Sequence, residues 1–270
     1  MTSIPDGPKP AFRDLEEIKQ FIRRHIDLWD RERGRALQMK AEFAKGTGPL
    51  IWGLTNHAVV TARALLLLIS NGPLIAAIPQ VRLMMDLGVT SAWLSVHPNA
   101  AGALYYEHLR QRKAAIEEVL VGKKPGLTEE ARDMILAEMD EFVGDKHPTG
   151  QYTDKRFKAM EGGADVYINY RIASAFAHAS ADLADTYLIA IPPSAESPLG
   201  IALSPDEDID LSQREAWVGT AASMLVLALT AANTIDSKGR FKTQLTKAAN
   251  RLGVSMDIQL AKPATAGADT

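Results

Sequence analysis

The stretch Leu15-Glu16-Glu17-Ile18-Lys19-Gln20-Phe21-Ile22-Arg23-Arg24-His25-Ile26-Asp27-Leu28-Trp29 carries apolar side chains at Leu15, Ile18, Phe21, Ile22, Ile26 and Trp29. Steps of three and four residues follow the α-helical turn and put all six on one stripe. The same period runs through a chain rich in Ala, Leu, Glu, Arg and Met, where strand-like alternation is scarce. The fold expected is all-α: a single helical bundle of about seven or eight helices with a long Pro-rich loop before the last two.

Working outward, the first helix is expected from Phe12 to Ala44, bent at Gly34, and Gly46-Thr47-Gly48-Pro49 breaks it. A second runs from Leu50 to Ser70 and stops at Asn71-Gly72-Pro73. A third reaches Ser95, with Pro79 as its true start. His97-Pro98 separates it from a helix ending at Val121. Gly122 to Gly126 is a basic turn, and Thr128 caps a helix through Val143. A loop, a short helix from Asp154 to Glu161 and the pair Gly162-Gly163 lead into one long alanine-rich helix, Ala164 to Ala190. Ile191 to Asp210 holds four prolines and reads as an extended surface loop. Ser212-Gln213-Arg214-Glu215 fits a capping box and opens an apolar helix to Ile235. A basic helix from Ser237 to Leu252 comes last. One domain over residues 1–257 and a flexible tail over 258–270 are expected.

The chain has 270 residues, 46% hydrophobic and 23% charged, which suits a globular protein with a sizeable core. It has no cysteine, which removes disulfides, thiolate zinc sites, iron–sulfur clusters and cysteine nucleophiles. Thirty basic and thirty-three acidic residues leave a charge of −3, so contact with nucleic acid must be a local patch. No secretory signal is visible at the N-terminus. The apolar window Ala216 to Ile235 is diluted by Gly219, Thr220, Ser223, Thr230 and Asn233 and reads as a core helix. Leu50 to Ile69 contains His57 and Arg63. A cytoplasmic protein without a membrane span is expected.

The chemistry concentrates between Tyr167 and Asp185. On one helix Tyr167, Arg171, Ser174, His178, Asp182 and Asp185 share a face, separated by alanines. Three readings stand: a solvated face, a buried network that fixes packing, or a site in which His178 moves protons and Arg171 holds an anion. The spacing of Arg171 and His178 resembles the Arg-x4–6-His motif of the HEPN family of helical ribonucleases, although Ile172 replaces the polar residue usual after the arginine.

A wider pattern surrounds it. Pro79-Gln80-Val81-Arg82-Leu83-Met84-Met85-Asp86 precedes Tyr105-Tyr106-Glu107-His108-Leu109-Arg110, and Tyr170, Ser174 and His178 follow a double glycine. This order resembles a bacterial family of helical proteins of unknown function. Its members pair an arginine and an acid four apart on one helix with a later Tyr-x3-Ser-x3-His helix. Asp86 stands where a glutamate is usual. The resemblance covers about residues 50–190. It implies a bundle with a shared polar cluster; Arg82, Asp86, Tyr170, Ser174 and Asp182 are the supporting members expected around Arg171 and His178. By themselves Arg82 and Asp86 form an i,i+4 ion pair. The other reading has Asp86 orienting His178 or pairing Arg171 across the bundle.

No His-x3-His, Glu-x2-His or His-Glu-x2-His occurs, so neither a metal nor another cofactor is expected. His57 reads as a core histidine, and His97 and His147, each before proline, as loop or cap residues. Ser174 near His178 lacks an oxyanion-hole turn. Basic groups at Arg31, Arg33 and Arg35, at Arg110, Arg112 and Lys113, at Lys123 and Lys124, and at Lys155, Arg156 and Lys158 read as solvated faces, or as an RNA track if they converge. Tyr105, Tyr106, Tyr152 and Phe157 are the nearest stacking groups.

Two functions follow. The first is an HEPN-like, metal-independent endoribonuclease, of the kind found in toxin and phage-defence settings. Arg171 and His178 are its catalytic pair, Tyr170 and Ser174 position the phosphate, Asp86 orients, and a homodimer is implied. RNA is the partner, and no specificity for DNA is indicated. The alternative is a non-catalytic helical module that binds a partner protein or small anion.

Overall fold

The computed structural model describes residues 11–35, 38–43, 46–121, 129–141, 150, 152–204 and 211–262. Ten α-helices occur among them: α1 (Leu15–Arg33), α2 (Thr47–Asn71), α3 (Leu74–Ser95), α4 (Ala101–Val121), α5 (Glu129–Glu141), α6 (Thr153–Ala159), α7 (Gly163–Ala177), α8 (Ala181–Asp185), α9 (Leu211–Ile235) and α10 (Lys242–Leu252). The protein is all-α apart from one hairpin, β1 (Leu188–Ala190) with β2 (Ile201–Leu203).

Asp14 starts α1: its carboxylate accepts from the Glu17 amide at 2.8 Å. The Glu17 carboxylate reaches back to the Arg13 amide at 2.7 Å, so two otherwise orphaned donors are satisfied. The six stripe residues pack inward, and Trp29 donates to the Asn56 amide oxygen on α2 at 3.0 Å. The helix ends at Gly34. The expected continuation to Ala44 is replaced by a short 3-10 turn, Ala41–Phe43.

The axis of the bundle is α3. Most of its residues are buried, and Arg82 and Asp86 are the charged side chains on an otherwise largely apolar surface. It packs most extensively on α9 and α2, and α7 and α6 take the remaining side. At Gly88 it passes so close to α9 that a Cβ would stand 2.8 Å from the Met224 carbonyl oxygen. α3 starts at Leu74, with Pro73 at the N-cap, so Pro79 lies inside it and is not its start. Pro79 removes one amide from the ladder within the second turn.

The expected helix Ala164 to Ala190 is broken. α7 stops at Ala177, His178 is extended (φ −126°, ψ 159°), and α8 begins at Ala181. Ser180 causes the break. Its hydroxyl donates to the Ala175 carbonyl at 2.6 Å and accepts from the Leu183 amide at 3.1 Å. One side chain thus closes one helix and caps the next. Downstream, the end of the expected helix is instead strand β1, which pairs with β2 from the expected loop, Leu188 opposite Leu203 and Ala190 opposite Ile201.

α9 begins at Leu211, which places Ser212 in its first turn rather than at the cap. Among the described residues two helices are long and apolar enough to cross a membrane, Thr47–Asn71 and Gln213–Ile235, and the second is mostly buried as a core helix. After α10 the chain returns to the start of α7. The Glu161 amide donates to the Gln259 carbonyl at 3.0 Å, and the Ala261 amide to the Ala159 carbonyl at 2.9 Å. Of the expected tail, 258–262 therefore lies along α6 and α7, and 263–270 is outside the described residues. So are Lys123, Lys124, Thr128 and His147.

Candidate functional site

Arg82 on α3 reaches across to α7. Its Nε donates to the Ser174 hydroxyl at 2.7 Å and one terminal nitrogen donates to the Tyr170 hydroxyl at 2.7 Å. The guanidinium also lies 4.7 Å from the Tyr170 ring centre. Ser174 passes its own proton to the Tyr170 carbonyl at 2.8 Å. The four-residue spacing of Tyr170 and Ser174 on α7 presents both to one planar guanidinium, a geometry that suits arginine rather than lysine.

Asp86, one turn along α3, does not pair with Arg82. Its carboxylate accepts from the Thr90 hydroxyl at 3.3 Å and faces Arg156 of α6 at 3.6 Å. Arg156 is only 7% exposed. It donates to the Gly150 carbonyl at 2.9 Å and the Thr153 hydroxyl at 3.1 Å, and its Nε is buried without a partner. Within the group read as solvated, Arg156 is thus the exception. Burial first, and the Asp86 carboxylate second, push the Tyr170 phenol above its usual range, against the pull of Arg82. The cluster ties α3, α6 and α7 together by opposite charges and shared hydroxyls.

A cleft of about 380 Å³ opens beside it. Asp86, Thr90 and Arg156 form its polar end, Leu50, Leu54, Leu87 and Leu104 its apolar walls, and Tyr105 and His108 of α4 line it as well. The volume is in the range of small-molecule sites.

The expected catalytic pair stands apart from this cluster. Arg171 and His178 are exposed and make no hydrogen bond or ion pair among the described residues. Asp86 touches neither. Asp182 is exposed on α8, so the six-residue stripe ends with the helix at Ala177. Tyr167 stacks on Tyr170 at 5.9 Å and meets Phe157 edge-on at 5.7 Å. His57 is exposed and not a core residue. The core histidine is His25, whose Nδ1 donates to the Phe21 carbonyl at 2.8 Å. His97 packs on Trp93 just after α3.

Arg156 and Thr90 are the residues that sequence reasoning missed. Arg156 sits between Lys155 and Phe157, and only the apolar Phe157 hints that this short helix turns a face inward. Among the described residues no three His, Asp or Glu side chains converge as a metal site would require.

The fold and cluster define an all-α bundle whose central helix carries an arginine and an acid, each bridged to a different neighbouring helix. Residues 50–190 match a family of unknown function (DUF5677), and the chain belongs to that family. That range contains every side chain of the cluster. No curated protein and no solved structure matches the chain.

Proposed function

We propose that the chain is a cytoplasmic helical module that binds RNA along the face of α6 and α7. The observation that carries this reading is a row of cations on aromatic rings. The Lys155 ammonium lies 4.9 Å from the Tyr152 ring, Lys158 lies 5.4 Å from Tyr167, and Arg82 follows at Tyr170. Tyr152 is exposed and Tyr167 half-buried. An unstacked base finds the exposed Tyr152 ring there, and phosphates find Lys155, Arg171 and Lys158, whose ammonium also lies 3.3 Å from the Asp154 carboxylate. In this reading the Arg82–Tyr170–Ser174 bonds hold the platform and do not touch the ligand.

A second reading, metal-independent endoribonuclease, has its own support: Arg171 on α7 and His178 just past its end are both exposed and make no hydrogen bond or ion pair among the described residues. A free imidazole can exchange a proton with the 2′-hydroxyl or the leaving oxygen, and a free guanidinium can hold the phosphate. A homodimer would bring a second copy of the pair to the site. Incubation of total RNA and tRNA with wild type and His178→Ala, with and without EDTA, separates the readings. Retarded but intact RNA supports the module. Cleavage that survives EDTA and is lost in His178→Ala makes the protein a nuclease. RNA neither bound nor cut overturns both.

A further inference from the structure

On the far side of α2 and α9, α1 and α10 flank a groove of about 410 Å³. Arg24 and Arg31 line it from α1, seven residues apart, and Lys247 and Arg251 from α10. Arg251 is engaged: it lies 2.7 Å from the Glu17 carboxylate and over the Phe12 ring. Arg24, Arg31 and Lys247 make no ion pair or hydrogen bond among the described residues. One acid, Asp27, stands among them on the groove wall. The floor is apolar, built from Phe21, Leu28 and Ala248.

His25 lines the same groove and is 7% exposed. Its Nδ1 is spent on the Phe21 carbonyl, so Nδ1 carries the hydrogen and Nε2 is an acceptor that makes no hydrogen bond among the described residues. Burial, helped by the nearby Arg24 charge, favours the neutral ring. Nε2 keeps access to solvent and can accept a hydrogen bond, beside Arg24, Arg31 and Lys247 on the groove wall.

We propose that this groove binds a small phosphate-bearing molecule of mononucleotide size. Arg24, Arg31 and Lys247 neutralise a phosphate dianion. His25 Nε2 accepts a hydrogen bond from a ligand hydroxyl, and the ligand's apolar part rests on Leu28 and Ala248. The groove volume suits such a ligand. The site shares no residue with the α6–α7 face and does not depend on RNA binding there.

Calorimetric titration of the full chain with adenosine monophosphate, inorganic phosphate and adenosine tests it. The monophosphate is expected to bind saturably, inorganic phosphate more weakly, and adenosine not at all. Arg24→Ala combined with Lys247→Ala, both on the surface, should weaken the monophosphate about tenfold or more, because each removes a charge-assisted contact. RNA retention should be unchanged in that variant, which keeps this proposal separate from the one above. No heat with either phosphate, equal affinity for inorganic phosphate and the monophosphate, or undiminished binding by the double variant would overturn it.

Discussion

Arg82 holds two α7 side chains with one guanidinium, so its replacement removes more than a charge. Arg82→Ala should destabilise the fold by about 2 kcal/mol, because charge-assisted bonds vanish and the half-buried Tyr170 hydroxyl is stranded. Arg82→Lys should recover little, since an ammonium cannot serve two acceptors in a planar fork. Urea denaturation measures both. Tyr170 provides a second readout. Its phenol is held above the usual range, so the folded state keeps a proton that the unfolded chain releases near pH 10. Stability should fall as pH rises through that value, and Tyr170→Phe should flatten the decline. At this scale Tyr170 and Ser174 were legible in the sequence because they are one helical turn apart. The partner of Asp86 was not. The i,i+4 pattern offers Arg82 locally, whereas the chosen cation, Arg156, arrives from a different helix.

At the scale of elements, the break between α7 and α8 depends on one hydroxyl. Ser180→Ala should cost about 1 kcal/mol through the lost cap, read as a lower thermal midpoint. The turn from α9 to α10 depends on Asp236, which is buried and accepts from Arg240 Nε at 2.8 Å and from the amides of Arg240 and Lys238. Burial works to raise its pKa, but the Arg240 guanidinium and these amides outweigh it and hold the carboxyl low. Asp236→Ala should therefore destabilise by about 3 kcal/mol, since it leaves the largely buried Arg240 uncompensated. The helices between clear punctuation, such as α2 up to Asn71-Gly72-Pro73, were readable because those residues cannot continue a helix. The long alanine-rich segment was misread because helix propensity favours continuation, and a serine that prefers to cap gives only a faint signal within it.

For the whole molecule, α3 is the packing axis, and at Gly88 it lies against the α9 backbone. Gly88→Ala should cost roughly 1–3 kcal/mol, because the methyl group must displace the α9 backbone. The same variant should leave the α1–α10 groove unaffected, since Gly88 is not part of it. His25 adds a pH dependence to the bundle. Its folded pKa lies below the usual value, chiefly through burial. Its contribution is complete above about pH 6.5 and is lost as pH falls through that value, because the unfolded chain gains the proton first. His25 was hidden from sequence reading because nothing distinguishes it from His57, which the fold leaves exposed. The all-α class and the cluster's α7 half were readable from period and spacing, whereas the burial of each polar group depends on which helices become neighbours.

The most direct measurement is a fluorescence-anisotropy titration of labelled single-stranded RNA at rising salt, with wild type and with Lys155→Glu, Lys158→Glu and Arg171→Glu combined. The account predicts saturable binding that weakens as salt rises, and binding by the triple variant about tenfold weaker or more. RNA that does not bind wild type, or that binds both proteins equally well, would contradict it.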